Sequence, residues 1–456
     1  MSALFLLPGL FSLYLVIRGR IETAFLSVYL PALLLLPDGY SLKFPHLPAI
    51  SAAESALIPI GAVALLRLLR RGIPSIMDIL VFLFIVSSSA SEVLRERVMN
   101  DGIFNALISF ISIFLAYAVG RTIIEPGLRL VTVRRIVLLA LLLGPLGLYE
   151  WRMGQSLYGT IGVKYFQATD VRDFIQMRSG HGRMAVSFND AELAGIVFGM
   201  IATLNVWLIY LRKWGHSASL GKRMVWLEKY HIPGLLLLLY VFLTQSRGPM
   251  LAVGVGYLIL QIPKFKNKKA ATALVAILIA AAGLAAYQYF NRYTNISDPG
   301  AIVSEQQGSA LYRRQMNERY QPIVKQGGFL GWGILSRPVL PGMFSVDNEF
   351  LLVHLAYGDS GYFLFLLISL ETFRRLIART WNLQVPEDQA FATALLGAMA
   401  VFWISITTVF MGEQTPQIAF LLIGWSQSIQ LVSAGPAAVT ESATGPRFVF
   451  KQVFSR

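Results

Sequence analysis

ATALVAILIAAAGLAAY, residues 271–287, decides the fold class because it contains no charged residue and offers no polar face to water. A strand of a membrane β-barrel alternates apolar and polar residues, and this stretch does not, so the reading is a membrane-spanning helix. AFLSVYLPALLLLP, residues 24–37, has the same character. Working outward, apolar stretches recur along nearly all 456 residues, of which 55% are hydrophobic and 14% charged. A soluble globule of this length would carry more charge. The expected fold is all-α: a polytopic helical bundle whose solvent is the bilayer.

Spans approaching the roughly 20 residues needed to cross the hydrocarbon core are expected at 3–17, 21–37, 51–69, 74–90, 103–124, 131–148, 188–211, 231–246, 248–262, 270–290, 348–370, 390–411 and 415–433. The first ends at Arg18 and Arg20 without a small-residue cleavage site and is read as a retained helix rather than a signal peptide. The first two spans form either two crossings or a re-entrant hairpin. Residues 1–433 are expected to form one transmembrane domain, followed by a cytoplasmic tail at 434–456 rich in small residues and expected to be disordered. No internal repeat is evident. The absence of cysteine excludes disulfides, thiolate nucleophiles and sulfur-based metal sites.

Charge orients the bundle. With the N-terminus outside, 24 of the 39 Lys and Arg fall on inner segments with 8 acids, and 15 fall outside with 17 acids. The net charge of +14 thus divides into +16 inside and −2 outside, as the positive-inside rule requires. The basic balance is a topological marker. No basic patch interleaves with aromatics in a soluble domain, so nucleic acid is not an expected partner.

Two outer segments, residues 149–187 and 291–347, are too long to be mere connectors. In the second, SALYRRQMNERYQPIVKQ places Leu311, Tyr312, Met316, Tyr320 and Ile323 at helical spacing, with Arg313, Arg314, Arg319 and Lys325 between them. This pattern predicts an amphipathic helix that lies on the membrane or caps a cavity.

Three segments carry candidate chemistry. TQSRGP, residues 244–249, joins two apolar spans on the outer side. Ser246 is placed to cap the following helix, and Pro249 suits its first turn. The outward helix terminus and the guanidinium of Arg247 can bind a phosphate together. The plainer alternative makes Arg247 an interfacial anchor. GHGRMAVSFNDAEL, residues 180–193, offers Arg183, with Arg178 as a substitute, and Asn189. Its Asp190 and Glu192 read as helix-start carboxylates rather than a metal pair, because alternation sets them poorly together. DNEFLLVHLAYGDSGY, residues 347–362, offers Asp347 at the membrane entrance, either as a general base or as a helix cap shared with Asn348. His354, about 10 Å further along that helix, is either a packed polar residue or an ionisable group with a role.

Taken together, these segments resemble the O-antigen ligase and O-antigen polymerase superfamily of bacterial inner-membrane glycosyltransferases. The resemblance spans most of the chain and rests on Ser246-Arg247-Gly248 at a span junction, on Arg183 before an Asn-containing helix start, and on RRQMNERYQPIVKQGGFLGWGI. It rests also on Asn348, nine residues, Gly358, two residues and Gly361. The ligases of this family carry histidine just before that block, where this chain has Asp347, a departure that leans towards polymerase.

The resemblance implies a bundle similar to other membrane glycosyltransferases with a large periplasmic loop, and a periplasm-facing site in the inner membrane. It implies an undecaprenyl-diphosphate-linked saccharide donor bound by Arg183 and Arg247, and a glycan acceptor deprotonated near Asp347. Arg178, Asn189, Ser246, Arg313, Arg314, Asn348 and His354 would contact substrate. No metal or other cofactor is required, and other polysaccharide assembly proteins would be partners besides the bilayer. The alternatives are a ligase that moves finished glycan onto lipid A core or, in another class, a lipid-linked oligosaccharide flippase. A transporter should show repeated halves and charged or broken midplane helices, for which Asp78 and Asp359 are thin support.

Overall fold

The computed structural model describes residues 2–43, 48–95, 99–166, 171–172, 174–178, 180–214, 231–295, 304–343 and 345–429. The expected tail at 434–456 lies outside them, as does most of the 212–229 loop. A helix occupies each of the thirteen expected span positions: α1 (Ala3–Ile17), α2 (Ile21–Leu35), α3 (Ala52–Arg70), α4 (Ile76–Arg95), α5 (Met99–Thr122), α6 (Pro126–Met153), α7 (Ala191–Tyr210), α8 (Ile232–Leu243), α9 (Arg247–Ile259), α10 (Lys268–Thr294), the amphipathic α11 (Glu305–Gly327), α12 (Glu349–Asn382), α13 (Pro386–Ser405) and α14 (Thr415–Ser428). Eight are long and apolar enough to cross a membrane; α1, α2, α8, α9 and α14 are shorter.

Local chemistry starts these helices where the chain enters the bundle. Ser51 and Glu54 form a reciprocal capping box on α3, while Asp190, Asn267, Ser304 and Asn348 cap α7, α10, α11 and α12. The chain is longer in helix than expected at several places: α4 runs to Arg95 and α6 covers Pro126–Met153. α10 runs to Thr294, and α12 continues past residue 370 to Asn382, carrying Arg374, Arg375 and Arg379 on its last turns.

α7 and α13 pack on each other at the centre and are buried along most of their length. α10 lies at the rim, with Leu274, Ile277, Leu278 and Leu284 exposed as in a lipid-facing helix. Loops expected on one side meet each other. Ser187 Oγ donates to Leu34 O (2.6 Å), Gln414 Nε2 to Leu36 O (2.7 Å), and Glu349 N to Ile406 O (2.9 Å). At the other end Trp207 Nε1 donates to Glu387 O (3.2 Å), and Arg129 pairs with Asp388 (2.9 Å). Asp78 belongs to that second end, where it accepts from Ser75 N and faces Arg121, so it is no midplane acid.

The 149–187 segment is not a bare loop. It includes a short helix at Leu157–Ile161 and a hairpin of β1 (Met177–Arg178) with β2 (His181–Gly182). α11 forms as its periodicity predicts, and its apolar face is covered by protein. Tyr312, Met316, Tyr320 and Val324 pack against Met343, Val346, Leu351 and Leu355 at the start of α12.

Candidate active site

Arg183 leaves the hairpin and is buried between three elements. Its Nε donates to Thr244 O (3.1 Å), its Nη1 to Gln176 Oε1 (2.6 Å) and its Nη2 to Ser246 Oγ (2.8 Å), while Glu192 Oε1 lies 3.4 Å away. A buried guanidinium demands this many acceptors. The chain just beyond it is pinned by Glu150, whose Oε2 accepts from Ala185 N (2.9 Å) and Val186 N (2.7 Å). Those bonds hold Val186, a β-branched residue, at φ 49°, in a region such side chains rarely adopt.

Ser246 occupies the N-cap position of α9 but makes no capping bond, contrary to expectation. Its single hydroxyl accepts from Arg183 and lies 3.2 Å from both Ala191 O and Thr244 O. A charge-assisted partner takes the oxygen that the helix would otherwise use. The first turn of α9 therefore lacks that side-chain acceptor. Arg247, the first residue of α9, is exposed, and among the described residues nothing pairs with its guanidinium. Gly248 keeps the junction close to the 406–414 loop, since a Cβ there would lie 2.8 Å from Thr408 Oγ1. Arg178 Nη1 donates to Gln245 O (2.7 Å), bracing the same turn from outside.

Glu192 is the bridge between segments. Its Oε1 lies 3.4 Å from Arg183 Nη2 and 3.5 Å from Arg313 Nη2, tying α11 to the start of α7. Asp347 is near enough for its charge to act on Glu192. Asp190 caps α7 by accepting from Glu192 N (2.9 Å) and faces Arg172 at 3.7 Å, as the helix-start reading expects. Asn189 accepts from Arg172 N (3.1 Å) and lines a small pocket with Gln176, Arg183 and Asp190.

At the entrance to α12 the cap is Asn348, whose Oδ1 accepts from Leu351 N (3.2 Å). Asp347 is not used as that cap. It is half-buried and accepts from Ser345 Oγ (2.5 Å), and its N–H points to Met316 Sδ (3.2 Å). Arg314 turns elsewhere, pairing with Glu318 (2.9 Å) near the end of α10. His354 is likewise separate: Nε2 lies 2.8 Å from Asp359 Oδ1, and its ring stacks on Tyr362 with centroids 4.4 Å apart.

Between His354 and Asp359 the helix is broken at Gly358, with φ 64° and ψ −162°. The break exposes backbone groups that the glycine-rich turn fills. Trp332 N donates to Leu355 O (3.0 Å) and Gly333 N to Ala356 O (2.9 Å), while Asp359 N donates to Gly328 O (3.1 Å). A Cβ on Gly358 would come within 2.3 Å of Gly331 N, so only glycine permits the contact.

Glu150, Glu349 and Glu413 also shape the site, although no sequence motif marks them. Glu349 is buried and its Oε2 accepts from Met411 N (2.6 Å). Glu413 sits in the 406–414 loop at φ 54°, with Oε2 buried, beside Asp38, Asn189, Asp190 and Arg172. Burial, then the charge of Asp38, pushes its carboxyl up to about 8. The one signal in the sequence is position: each acid closes or opens an apolar run, where a carboxylate needs internal partners.

Residues 232–366 match a family model described as O-antigen ligase. The matched segment runs from α8 through the Ser246–Arg247 junction, α11 and Asp347 to beyond Gly361, and leaves Arg183 outside. It supports membrane glycosyl transfer of the O-antigen ligase or polymerase type. No curated protein matches the chain.

Proposed function

We infer, from the O-antigen ligase and polymerase superfamily domain that this chain carries, that it polymerises O-antigen or exopolysaccharide repeat units from an undecaprenyl-diphosphate donor. The observation that carries the reading is Arg247: an exposed guanidinium, without a partner among the described residues, on the first turn of a helix beside a junction braced by Arg183 and Ser246.

In this reading Arg247 binds the donor diphosphate bidentately, and the uncapped first turn of α9 adds N–H groups and the positive end of its dipole. Arg183, occupied by four partners, adds charge at the same junction and holds Ser246 in place. Arg178 and Asn189 shape the loops around it. Arg313, held by Glu192, brings α11 over the site, whereas Arg314, paired with Glu318, and His354, paired with Asp359, stand apart from it. Asp347 takes the proton from an acceptor sugar hydroxyl as that oxygen attacks the anomeric carbon. The bond from that carbon to the diphosphate breaks, and the arginines stabilise the charge that develops on the leaving group. None of these steps calls on a metal or other cofactor. The site faces the periplasm of the inner membrane, since the opposite orientation would translocate the larger basic share.

The ligase reading is retained because the matched family model is described by that activity. Aspartate in place of the ligases' histidine favours the polymerase. Glycan analysis of a deletion strain separates them. Single repeats on the lipid carrier, with chain length lost, support polymerisation. Full-length lipid-linked chains that never reach their acceptor identify a ligase. Normal surface glycan overturns both.

A further inference from the structure

The end of the bundle opposite Arg247 carries a second concentration of arginines. Arg121 Nη1 and Arg375 Nη2 both donate to one carbonyl, Gln427 O, at 2.6 and 3.2 Å, so two guanidiniums share a single acceptor. Arg71 Nη1 donates to Arg121 O (3.1 Å), and Arg379 Nε to Ile429 O (2.8 Å). Arg129 is 6% exposed, pairs with Asp388 at 2.9 Å and lies over the Phe391 ring. With Arg67 and Arg374 beside them, seven guanidiniums among the described residues face five carboxylates, those of Asp78, Glu125, Glu371, Glu387 and Asp388.

The carbonyls at the C-terminal end of α14 explain why cations gather there. They do not account for the buried Nε groups of Arg129 and Arg375, which have no hydrogen-bond acceptor among the described residues. Nor do they account for the space. A cavity of about 470 Å³, lined by Arg71, Arg121, Glu125, Arg129, Asp388 and Ser428, opens between the helices at this point. That volume is in the range of small-molecule sites, roughly 300–1,000 Å³.

We propose that this cavity binds a phosphate-bearing anion between Arg71, Arg121 and Arg129. Excess positive charge around an open cavity lined by charged side chains calls for an anion. Several guanidinium forks around one space suit the multiple oxygens of a phosphate better than a carboxylate. Two sources share this chemistry: the headgroup of an anionic phospholipid in the adjoining leaflet, reached between helices, and soluble phosphate. The site is separate from the Arg247 junction and does not depend on the function assigned there.

The test uses the full chain in nanodiscs of phosphatidylcholine alone or with phosphatidylglycerol. Thermal unfolding is followed with and without inorganic phosphate, against chloride at equal ionic strength. Phosphatidylglycerol should raise the unfolding temperature and remain bound in native mass spectrometry, with added phosphate having little effect. If phosphate raises it in phosphatidylcholine alone, the site is the same and the source is soluble. Arg71→Gln, at an exposed position, should weaken the response about tenfold, the worth of one charge-assisted bond. Arg129→Gln combined with Asp388→Asn, which leaves no stranded acid, should abolish it. If the wild type responds to neither anion, or if Arg71→Gln responds as the wild type does, the proposal is wrong.

Discussion

Glu413→Gln isolates one buried charge beside the candidate site. Burial and Asp38 raise the Glu413 carboxyl from 4.5 to about 8 in the folded protein. A raised acid binds its proton more tightly folded than unfolded. Its contribution is therefore intact below the ordinary carboxylate pKa, declines as pH rises, and is fully lost above about 8. A tenfold change in proton affinity corresponds to about 1.4 kcal/mol, so the full difference sets a ceiling of about 5 kcal/mol. Discounting for residual solvent leaves an expected loss of about 2 kcal/mol. For a chain of this length that is roughly 2 °C in unfolding temperature. Glutamine keeps the shape and the contact with Asn189 but cannot ionise. Thermal unfolding of detergent-purified wild type and variant at pH 5 and pH 9 measures the difference. The wild type should lose more stability between the two, and the variant should be the more stable at pH 9. Parallel decline, or a variant less stable at pH 9, refutes the argument that Glu413 is an uncompensated buried acid.

Arg247→Lys should fold normally and lose activity by about 10- to 100-fold, because lysine keeps the charge but not the planar fork; product near the wild-type level would leave Arg247 an interfacial anchor. Asp347→Asn should abolish transfer at unchanged protein level, and since Asn348 already caps α12, a lost cap cannot explain the defect. His354→Gln should retain substantial activity, and the reverse pattern would move the base to the His354–Asp359 pair. Cysteines introduced at exposed positions in α11 should react with an impermeant thiol reagent in intact spheroplasts while cysteines at 264–267 should not; the opposite labelling inverts the topology.

The bundle was legible because lipid imposes a simple rule: apolar length and basic loop ends are local properties, and every expected span position holds a helix. The five shorter helices show where that rule is weakest, since α8 and α9 trade length for the Thr244–Ser246 turn between them. The amphipathic pattern of α11 predicted a helix but not its covering, because periodicity shows an apolar face and not what meets it. Within the site, the segments were legible and the wiring was not. Ser246 looked like a cap by position, yet its hydroxyl goes to a guanidinium sixty-three residues away in sequence. Glu192 looked like a helix-start acid, yet it joins two arginines from distant segments. Such pairings depend on which loops the bundle brings together, and spacing along the chain carries no trace of that.

The break at Gly358 joins the loop after α11 to α12 through peptide groups: the N–H donors of Trp332, Gly333, Asp359 and Ser360 meet carbonyls across the seam. Ser360 Oγ adds a bond to Phe329 O (2.8 Å), and Ser91 Oγ one to Ala356 O (2.7 Å), so the joint rests on peptide groups, its glycines and two serines. Phe329 and Val339, on the loop it anchors, are left exposed. Substitution at those two positions can change the exposed surface of the loop while the loop stays in register with α12. On the glycosyl-transfer reading proposed above, this arrangement lets the scaffold stay fixed while the sugar it accepts changes.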